Sequence, residues 1–461
     1  MTETTIARQL AAHCLPGSEP SDEAMDWIRL LLMDYAAVTS GGAQRESARS
    51  IRAAASAGQR SELATSALHG APGWAAPEEA ALVNGTVAHG LELDDTFEEA
   101  SLHPGVVVFP AVLAVADERG SSARDVLRAS LIGYDVMCGV GVLLGAAESY
   151  GRGFHPTGVA GAIGAAAAVA ALLELDEDRT VDVLGVAANL AAGSLEFLSD
   201  GSWTKRLNAG HAASVGIRAA RLGAAGFLAP QTAFEGRDGF LAQHGQGLVD
   251  GRELDLELGR AALDTSIKFY PCCRYMHGNI DLLRELHQEF PGTGIDDIER
   301  IEVGVIRAGA TLISLPPERK LTVTTSVDAQ FNMPFGAAVA FTTGQATVDQ
   351  FDRAPELAPD LLPWMKKVDC VDSDRLEQAF PAQWQAEVTV TFADGTVVER
   401  SEDAFVGSAR KRATWAQISD KAQGLVGEYA SQQLRASIEG LELDRPVSGQ
   451  VSFPVLTAVA D

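Results

Sequence analysis

The feature that most constrains this chain is a succession of long apolar segments between about residues 21 and 265. They are rich in Ala, Leu and Val, and Gly, Pro and Asp residues separate them, as is typical of consecutive helices. Several are apolar on all sides, which predicts helices buried inside a large bundle. The clearest segments are DEAMDWIRLLLMDYAAV, VVVFPAVLAVADE, SARDVLRASLIGYDVMCGVGVLL, GVAGAIGAAAAVAALLEL and HAASVGIRAARLGAAGF.

The pattern changes from helical to alternating after about Pro271. Residues 297–306 alternate as a strand does, and residues 387–399 form two alternating runs joined by an Ala-Asp-Gly turn. This second pattern predicts a β-hairpin. Helical periodicity returns beyond about residue 409. We therefore predict a mainly α protein with a large, discontinuous all-helical domain, residues 1–268 and 409–461, and a smaller α/β lid domain, residues 269–408.

Composition narrows the possible partners and compartments. A net charge of −26 argues against nucleic acid or an anionic membrane as a partner, because phosphate groups require a basic surface. Five irregularly spaced cysteines argue against a disulfide framework and favour the cytoplasm. The start of the chain lacks the pattern of a signal peptide, and the apolar stretch 159–173 is shorter than the roughly 20 residues that span a bilayer. We expect no membrane segment.

Positive charge is concentrated in two parts of this acidic chain. Residues 201–234 and 265–280 contain no Asp or Glu. Their candidate ligand-binding side chains are Lys205, Arg206, Lys268, Arg274 and His277. Local positive potential suits the capture of a small anion. Pairing with surface carboxylates elsewhere would explain the same residues, so the pattern leaves both interpretations open.

Two His-Pro pairs each precede an apolar helix. His103 precedes VVVFPAVLAVADE, and His155 precedes the Ala-rich segment. Amides at a helix N-terminus can hold an anion and favour a neutral imidazole. A histidine at such a position is often only a turn residue, but the repeated setting favours a role in a site.

Carboxylates surround Asp94 in the stretch LELDDTFEEASLHPG, residues 91–105. Asp94, Asp95 and Glu98 match the DDxxE spacing by which helical isoprenoid synthases hold Mg²⁺, although the nearest candidate for a second metal motif has Gly193 where a hydroxyl is required. A Ca²⁺-binding or purely structural acidic loop is a second alternative. In the third, Asp94 orients His103 or helps to move a proton, and the nearby histidine favours this alternative.

The sequence contains no motif that is typical of a metal site or of an organic cofactor site. Cys272 and Cys273 are adjacent, with His277 nearby, and lack the CxxC spacing of zinc sites, while the other cysteines are too scattered for an iron–sulfur cluster. We find no phosphate-binding loop, no convincing dinucleotide fingerprint and no nucleophile elbow. We expect a site without metal or organic cofactor.

Several stretches together resemble the MmgE/PrpD family. They are VNGTVAHGLELDDT, HPGVVVFPAVLAVADE, FHPTGVAGAIGAAAAVAALLELD, GSWTKRLNAGHAASVGIRAARLGAAGFLAP, IKFYPCCRYMHGNIDLL and DAQFNMPFGAAVAF, in family order over about residues 80–340. The family includes 2-methylcitrate dehydratase, cis-aconitate decarboxylase and iminodisuccinate epimerase. The resemblance implies a large helical domain, a smaller lid, a homodimer and no cofactor.

The resemblance also implies positions for the active site. It places His103, His155, Lys205 and Lys268 there and Thr96 at a pocket position, while Glu92 stands where relatives have an aspartate. Two features depart from the decarboxylase pattern: the segment between Thr96 and His103 is one residue longer, and no tyrosine matches the one proposed for the lid. These departures argue against decarboxylation, whereas the dehydratase label covers much of the family and is preferred here by a small margin over the epimerase.

The chemistry shared by these relatives leaves an enolate beside a carboxylate, and this charge must be stabilised. We assign Lys205 and Lys268 to binding and charge stabilisation, one of them being a possible base, and His103 and His155 to proton delivery. Asp94 would orient His103. The predicted substrate-binding residues are Glu92, Thr96, Arg206, Arg274 and His277.

The resulting prediction is a cofactor-independent enzyme acting on a small di- or tricarboxylate, most simply a 2-methylcitrate dehydratase-like lyase. An iminodisuccinate epimerase-like isomerase and a cis-aconitate decarboxylase-like lyase are the alternatives within the family. A non-catalytic carboxylate-binding protein is the alternative from a different class.

Overall fold

The computed structural model describes residues 4–17, 19–249 and 251–456. Its α-helices are α1 Ile6–Cys14, α2 Asp22–Gly42, α3 Glu46–Ala54, α4 Pro77–Ala88, α5 Gly105–Arg119, α6 Ala123–Leu144, α7 Ala146–Gly151, α8 Pro156–Leu172, α9 Glu177–Leu190, α10 Thr204–Ala224, α11 Phe240–His244, α12 Arg260–Leu263, α13 His277–Glu289, α14 Arg307–Ile313, α15 Pro317–Lys320, α16 Ser326–Gln330, α17 Met333–Thr343, α18 Val348–Asp352, α19 Ala354–Met365, α20 Asp374–Ala379, α21 Trp415–Val426 and α22 Glu428–Glu439. Its strands are β1 Ser66–Ala67, β2 Trp74–Ala75, β3 Thr96–Phe97, β4 Thr265–Ser266, β5 Ile298–Val305, β6 Val368–Asp372, β7 Ala386–Phe392 and β8 Val397–Glu402. Short 3₁₀ turns cover His89–Leu91, Glu196–Ser199, Arg274–Met276 and Ile295–Asp297.

The centre of the helical part is formed by α4, α5, α6, α8 and α10, which pack against one another. Helices α4 and α10 approach so closely that a Cβ atom on Gly85 would lie 2.8 Å from the Cα of Gly210. A Cβ on Gly210 would lie 2.1 Å from the carbonyl oxygen of Leu82, so neither position has room for a side chain. This contact places Lys205, on α10, beside the loop that follows α4.

Both ends of the chain contribute to the helical core. Helices α21 and α22 pack against α2, and Ile418, Leu434 and Ile438 are fully buried in the same apolar cluster as Ile28. A second apolar cluster lies mainly within residues 270–390. The molecule therefore has one large helical core and a second, smaller core.

The smaller core is built on a four-stranded sheet with the order β6-β5-β7-β8. The predicted hairpin is confirmed: β7 and β8 are antiparallel, with Val390 opposite Val398. Strand β6 runs parallel to β5, and helices α13 and α17 pack with the sheet. The fold class predicted from the sequence, mainly α with a smaller α/β part, is confirmed.

Among the described residues, α6 alone is long and apolar enough to cross a membrane. However, 83% of its most apolar window is buried inside the protein. Such burial is typical of a central helix in a bundle, where an all-round apolar surface meets other helices.

A two-residue ribbon links distant parts of the chain at the edge of the helical part. Strand β3 pairs with β4, with Thr96 opposite Ser266 and Phe97 opposite Thr265. The ribbon therefore brings the acidic loop before Thr96 next to the segment that carries Lys268.

Candidate active site

Most of the predicted site residues converge on one narrow pocket, whose cavity volume is about 30 Å³. Side chains of its wall must therefore move apart to admit a small organic ligand. The predicted residues that line it are Glu92, Thr96, His103, His155, Lys205, Lys268 and Arg274. The wall is completed by other residues, including Phe197, Phe331 and Trp384.

Glu92 reaches the pocket through an unusual backbone conformation. It ends the 3₁₀ turn His89–Leu91 with φ 54° and ψ 35°, in the left-handed region. Non-glycine residues seldom adopt this conformation, and it persists where the surroundings over-determine it, often at functional sites. The Glu92 carboxylate lies between Lys205 and Lys268, and it contacts both.

The two lysines and Glu92 form a buried ion cluster. Glu92 Oε1 accepts a hydrogen bond from Lys205 Nζ, and Oε2 lies 3.2 Å from Lys268 Nζ. Lys268 is fully buried, and Lys205 and Glu92 are nearly so. Lys205 Nζ also lies 5.1 Å from the centre of the Phe331 ring. A buried charge is tolerated only when it is paired, so this cluster depends on all three members.

The charges of this cluster shift one another's pKa. Burial raises the pKa of Glu92, but the two lysines outweigh that effect and hold it well below its usual value. Burial lowers the pKa of Lys205, and Glu92 offsets this only in part. Burial also disfavours charged Lys268, but Glu92 and Asp94 outweigh it, so that its pKa is raised. The carboxylate and Lys268 are thus held in their charged forms.

His103 presents an unprotonated Nε2 when it is neutral. Its Nδ1 lies 2.8 Å from the carbonyl oxygen of Asp95, which can only accept, so Nδ1 carries the proton. Asp94 Oδ2 is 3.3 Å from the same nitrogen. Burial, with Lys268 as the next cause, lowers the pKa of His103 well below its usual value. Neutral His103 therefore offers Nε2 as a proton acceptor.

His155 has the opposite tautomer. It directly precedes α8, and its backbone N–H donates to the Gly193 carbonyl. The Asn208 amide nitrogen, which also donates to Ser194 O, lies 3.4 Å from His155 Nδ1 and makes that atom an acceptor. Burial, followed by Lys205, lowers the pKa of His155 well below its usual value. Neutral His155 therefore carries its proton on Nε2 as a donor.

Asp94 lies behind the pocket wall and contacts two histidines. Its Oδ1 is 3.0 Å from His89 Nδ1, and its Oδ2 faces His103. Burial raises the pKa of Asp94, but His89 and His103 outweigh it and keep the carboxylate ionised. His89, which the sequence analysis missed, is fully buried, and its Nε2 lies 3.8 Å from Glu92. Its position three residues before Glu92 in the same motif was the available signal.

Asp95, by contrast, fixes the start of α5. Its Oδ1 accepts from the Gly105 backbone N–H at 2.9 Å, and its Oδ2 accepts from the Tyr134 hydroxyl at 2.5 Å. Burial raises the pKa of Asp95 to about 7. The two neighbouring aspartates therefore have different surroundings and different structural roles.

Two predicted substrate-binding residues do not line the pocket. Arg206 donates to the Ser47 hydroxyl at 2.8 Å, and His277 lies behind Arg274, 3.2 Å from its Nη1. Arg274 itself reaches the pocket but is partly committed, because its Nε donates to Glu98 at 3.0 Å. The structure thus brings Arg274 to the ligand space and leaves the other two as neighbours.

Three hydroxyl-bearing residues of the wall were not predicted from the sequence. They are Ser101, Tyr150 and Tyr275. Tyr275 lies in the same acid-free stretch as Lys268, which was the available signal for it. Nothing local in the sequence marks Ser101 or Tyr150, because only the fold brings them together.

The imidazoles of His89, His103 and His155 form a cluster whose nearest ligand atoms all lie within 4.8 Å of one another. Three histidines at such spacing can hold a metal ion. Here, however, Lys205 and Lys268 act on the same cluster, and both lower the pKa of His103. The two ammonium groups would therefore repel a metal cation placed among these histidines.

Comparison with known proteins agrees with this architecture. The model of the MmgE/PrpD N-terminal domain matches residues 8–250, and that of the MmgE/PrpD C-terminal domain matches residues 270–445. A cis-aconitate decarboxylase-like protein, oryM, of Aspergillus oryzae is 28% identical over 403 residues, covering 81% of each chain. Cis-aconitate decarboxylase of Aspergillus terreus is 26% identical over 389 residues, covering 80% of this chain and 78% of the relative.

A mammalian relative shows the same likeness over a somewhat shorter span. Cis-aconitate decarboxylase of Mus musculus is 25% identical over 345 residues, covering 73% of this chain and 69% of the relative. Both family domains are thus present in order, and the matched relatives extend across them. The chain belongs to the MmgE/PrpD family and is an enzyme of the lyase type found there.

Proposed function

We propose that this protein decarboxylates a small unsaturated tricarboxylate of the cis-aconitate type. The observation that carries the proposal is the buried Lys205–Glu92–Lys268 cluster in one pocket with His103 and His155. The named relatives favour decarboxylation over the 2-methylcitrate dehydration that the sequence analysis preferred. The lysines match the needs of an anionic substrate, and the histidines supply both a proton acceptor and a donor.

The proposed step transfers one electron pair across an allylic system. The bond between the CH₂ carbon and its carboxylate carbon breaks, and CO₂ leaves. The released pair forms a new double bond to the central carbon. The original double bond takes up a proton at its far carbon, which becomes a CH₂ group beside a carboxylate. One proton is consumed, and no oxidant or reductant is required.

In this step the lysines stabilise the charge that develops on the remaining carboxylate as an enolate. Such preorganised charge stabilisation is commonly the largest contribution to rate acceleration. His103, oriented by Asp94 and the Asp95 carbonyl, takes up a proton from solvent on Nε2 and, as the imidazolium, passes it to the far carbon, which returns His103 to its neutral form. Neutral His155 keeps its proton and donates a hydrogen bond from Nε2 to a substrate carboxylate.

The reaction is tested by incubating EDTA-treated protein in D₂O with cis-aconitate, citrate, 2-methylcitrate and iminodisuccinate, followed by proton NMR and CO₂ measurement. We expect CO₂ release from cis-aconitate, new vinyl CH₂ signals, and one deuterium in the neighbouring CH₂ group. Loss of water from 2-methylcitrate without CO₂ would instead identify a dehydratase. Deuterium exchange of iminodisuccinate without net conversion would identify an epimerase.

The residue roles are tested with Lys268→Met and His155→Gln, using Lys366→Met, an exposed lysine outside the pocket, as the matched control. Removal of one charge-stabilising donor typically lowers kcat by about 10²–10³-fold, and we expect at least that for both site variants. The control should match the parent. If both site variants fold and keep the parental activity, these residues do not take part in the reaction.

A further inference from the structure

We propose that Ser101, Tyr150 and Tyr275, together with Arg274, form a second carboxylate-binding subsite in the same pocket. The proposal deepens the proposed function, because it assumes a substrate with more than one carboxylate. The lysine cluster would hold the carboxylate at which charge develops. The hydroxyl subsite would bind another carboxylate of the same molecule and thereby set specificity for tricarboxylates.

The hydroxyls of Ser101 and Tyr275 share a hydrogen bond, with their oxygen atoms 2.6 Å apart. The Tyr150 side chain lines the same wall and lies close enough to Tyr275 to raise the pKa of its hydroxyl. Ser101 is 6% exposed, and all three residues line the pocket that contains the lysines and histidines. A polar cluster on a largely closed pocket wall normally has its hydrogen-bonding capacity filled.

The number of protons shows that this cluster has capacity left. Three hydroxyl groups carry three protons, and the one hydrogen bond among them, between Ser101 and Tyr275, uses one of these protons. At least one O–H group is therefore available to a ligand. Burial raises the pKa of both tyrosines, so their hydroxyls stay protonated and act as donors to an anion.

The backbone holds Ser101 in a conformation that serine seldom adopts. Its φ of 50° lies in the left-handed region. The turn is closed by hydrogen bonds from the Ser101 N–H to Glu98 O at 3.0 Å and between Phe97 and Leu102 in both directions. Local strain of this kind is retained where it fixes a functional side chain. Here it fixes the hydroxyl that is hydrogen-bonded to Tyr275.

Tyr275 is equally constrained. Its ring stacks on Trp384 with a centroid distance of 4.1 Å and an interplanar angle of 10°. Both residues line the pocket. The hydroxyl is therefore preorganised, which lowers the entropy lost when a ligand binds.

Arg274 supplies the positive charge of the subsite. It is 2% exposed and lines the same pocket, and its Nε and Nη1 are engaged by Glu98 and His277. Its buried Nη2 has no hydrogen-bond partner among the residues that the structure describes. A buried guanidinium nitrogen without a partner is costly, and a ligand carboxylate would satisfy it.

The test compares ligands that differ by one carboxylate. Itaconate, citraconate and trans-glutaconate each lack a different carboxylate of cis-aconitate. Their affinities and that of cis-aconitate are measured by calorimetry in a His103→Gln background, which lacks the group that delivers the proton, with and without Tyr275→Phe or Tyr150→Phe. The matched control is Tyr270→Phe, whose hydroxyl binds Asp281 and Arg284 and does not line the pocket.

A hydrogen bond to a charged group contributes roughly 1.5–3 kcal/mol, so we expect each site variant to bind cis-aconitate about 10- to 100-fold more weakly. One of the three dicarboxylates, the one that lacks the carboxylate bound by the subsite, should lose little affinity. Equal weakening for every ligand, or no weakening with cis-aconitate, would overturn the proposal. The calorimetry measures binding without turnover. A protein that fails to decarboxylate cis-aconitate would therefore contradict the proposed reaction, while the binding data would still test the proposed subsite.

Discussion

At the scale of single residues, the Glu92 carboxylate is the countercharge that allows two lysines to be buried in one pocket. Replacing it by glutamine leaves Lys205 and Lys268 without a countercharge, and loss of one partner of a buried ion pair costs about 3–5 kcal/mol. We expect Glu92→Gln to lower the Tm markedly and citrate to raise the variant's Tm more than the parent's, because the ligand carboxylate would replace the missing one. Equal citrate shifts in differential scanning calorimetry would contradict this.

Asp95 provides a pH-dependent contribution to stability at the same scale. Its pKa of about 7 is above the unfolded value of about 3.9, so the folded state holds the proton more tightly. This contribution to stability is fully present below about pH 4 and is lost as the pH rises towards 7, at about 1.4 kcal/mol per pH unit. In Asp95→Asn the pH dependence of the free energy of unfolding between pH 4 and 7 should flatten. An unchanged slope in urea titrations would assign that dependence to other groups.

At the scale of secondary-structure elements, helix α21 supports the acidic loop from the C-terminal part of the chain. Lys421 on α21 donates to Leu93 O at 2.7 Å and pairs with Asp34 of α2 at 2.6 Å, and both side chains are nearly inaccessible. Leu93 separates Glu92 from Asp94, so this bond positions both carboxylates. We expect Lys421→Met to lower kcat about tenfold or more, because small displacements of catalytic groups have large effects on rate.

The single variant also leaves Asp34 buried without a partner, so Asp34→Asn/Lys421→Met is needed to separate stability from positioning. The double variant should recover part of the lost Tm while kcat stays low. Lys367→Met is the control, since Lys367 also donates to main-chain carbonyls but lies in the smaller α/β part, outside the pocket. Hydrogen exchange of residues 91–97 should accelerate in the Lys421 variants alone. Unchanged exchange would show that α21 does not position the loop.

The elements themselves were largely predictable, because most of their signals are local. Apolar periodicity predicted α2, α5, α6, α8 and α10, and the alternation around Ala-Asp-Gly predicted the β7–β8 hairpin. The parallel pairing of β5 with β6 joins strands more than sixty residues apart, with six helices between them. Such non-local pairing leaves no periodic signal in either strand.

The candidate site was also predictable where its residues lie in distinctive local stretches, and unpredictable where only the fold brings residues together. The lysines, His103 and His155 lie in distinctive stretches, and the structure brings them together. Arg206 was indistinguishable from its neighbour Lys205 in composition, but it points to Ser47 because successive helical residues face different directions. Ser101 and Tyr150 became recognisable only through their meeting in space.

At the scale of the whole molecule, a strongly negative protein is expected to bind an anion. The net charge is −26, while the pocket is close to neutral. Its cationic groups Lys205, Lys268 and Arg274 are balanced by the carboxylates of Glu92, Asp94 and Glu98. Hydrogen bonds in the pocket thus favour binding of an anionic substrate at short range, while the negative net charge of the protein repels that substrate at long range.

This balance predicts an unusual dependence on salt. The Debye length falls from about 30 Å at 0.01 M to about 8 Å at 0.15 M, so salt screens the distant surface charges more than the buried pocket. We therefore expect kcat/KM for a trianionic substrate to rise severalfold over this range, and less for a dianion. Steady-state rates in a series of salts with different anions separate screening from competition at the pocket. A fall in kcat/KM with every salt would mean that the positive potential of the lysine pocket, rather than the net charge, governs the approach of substrate.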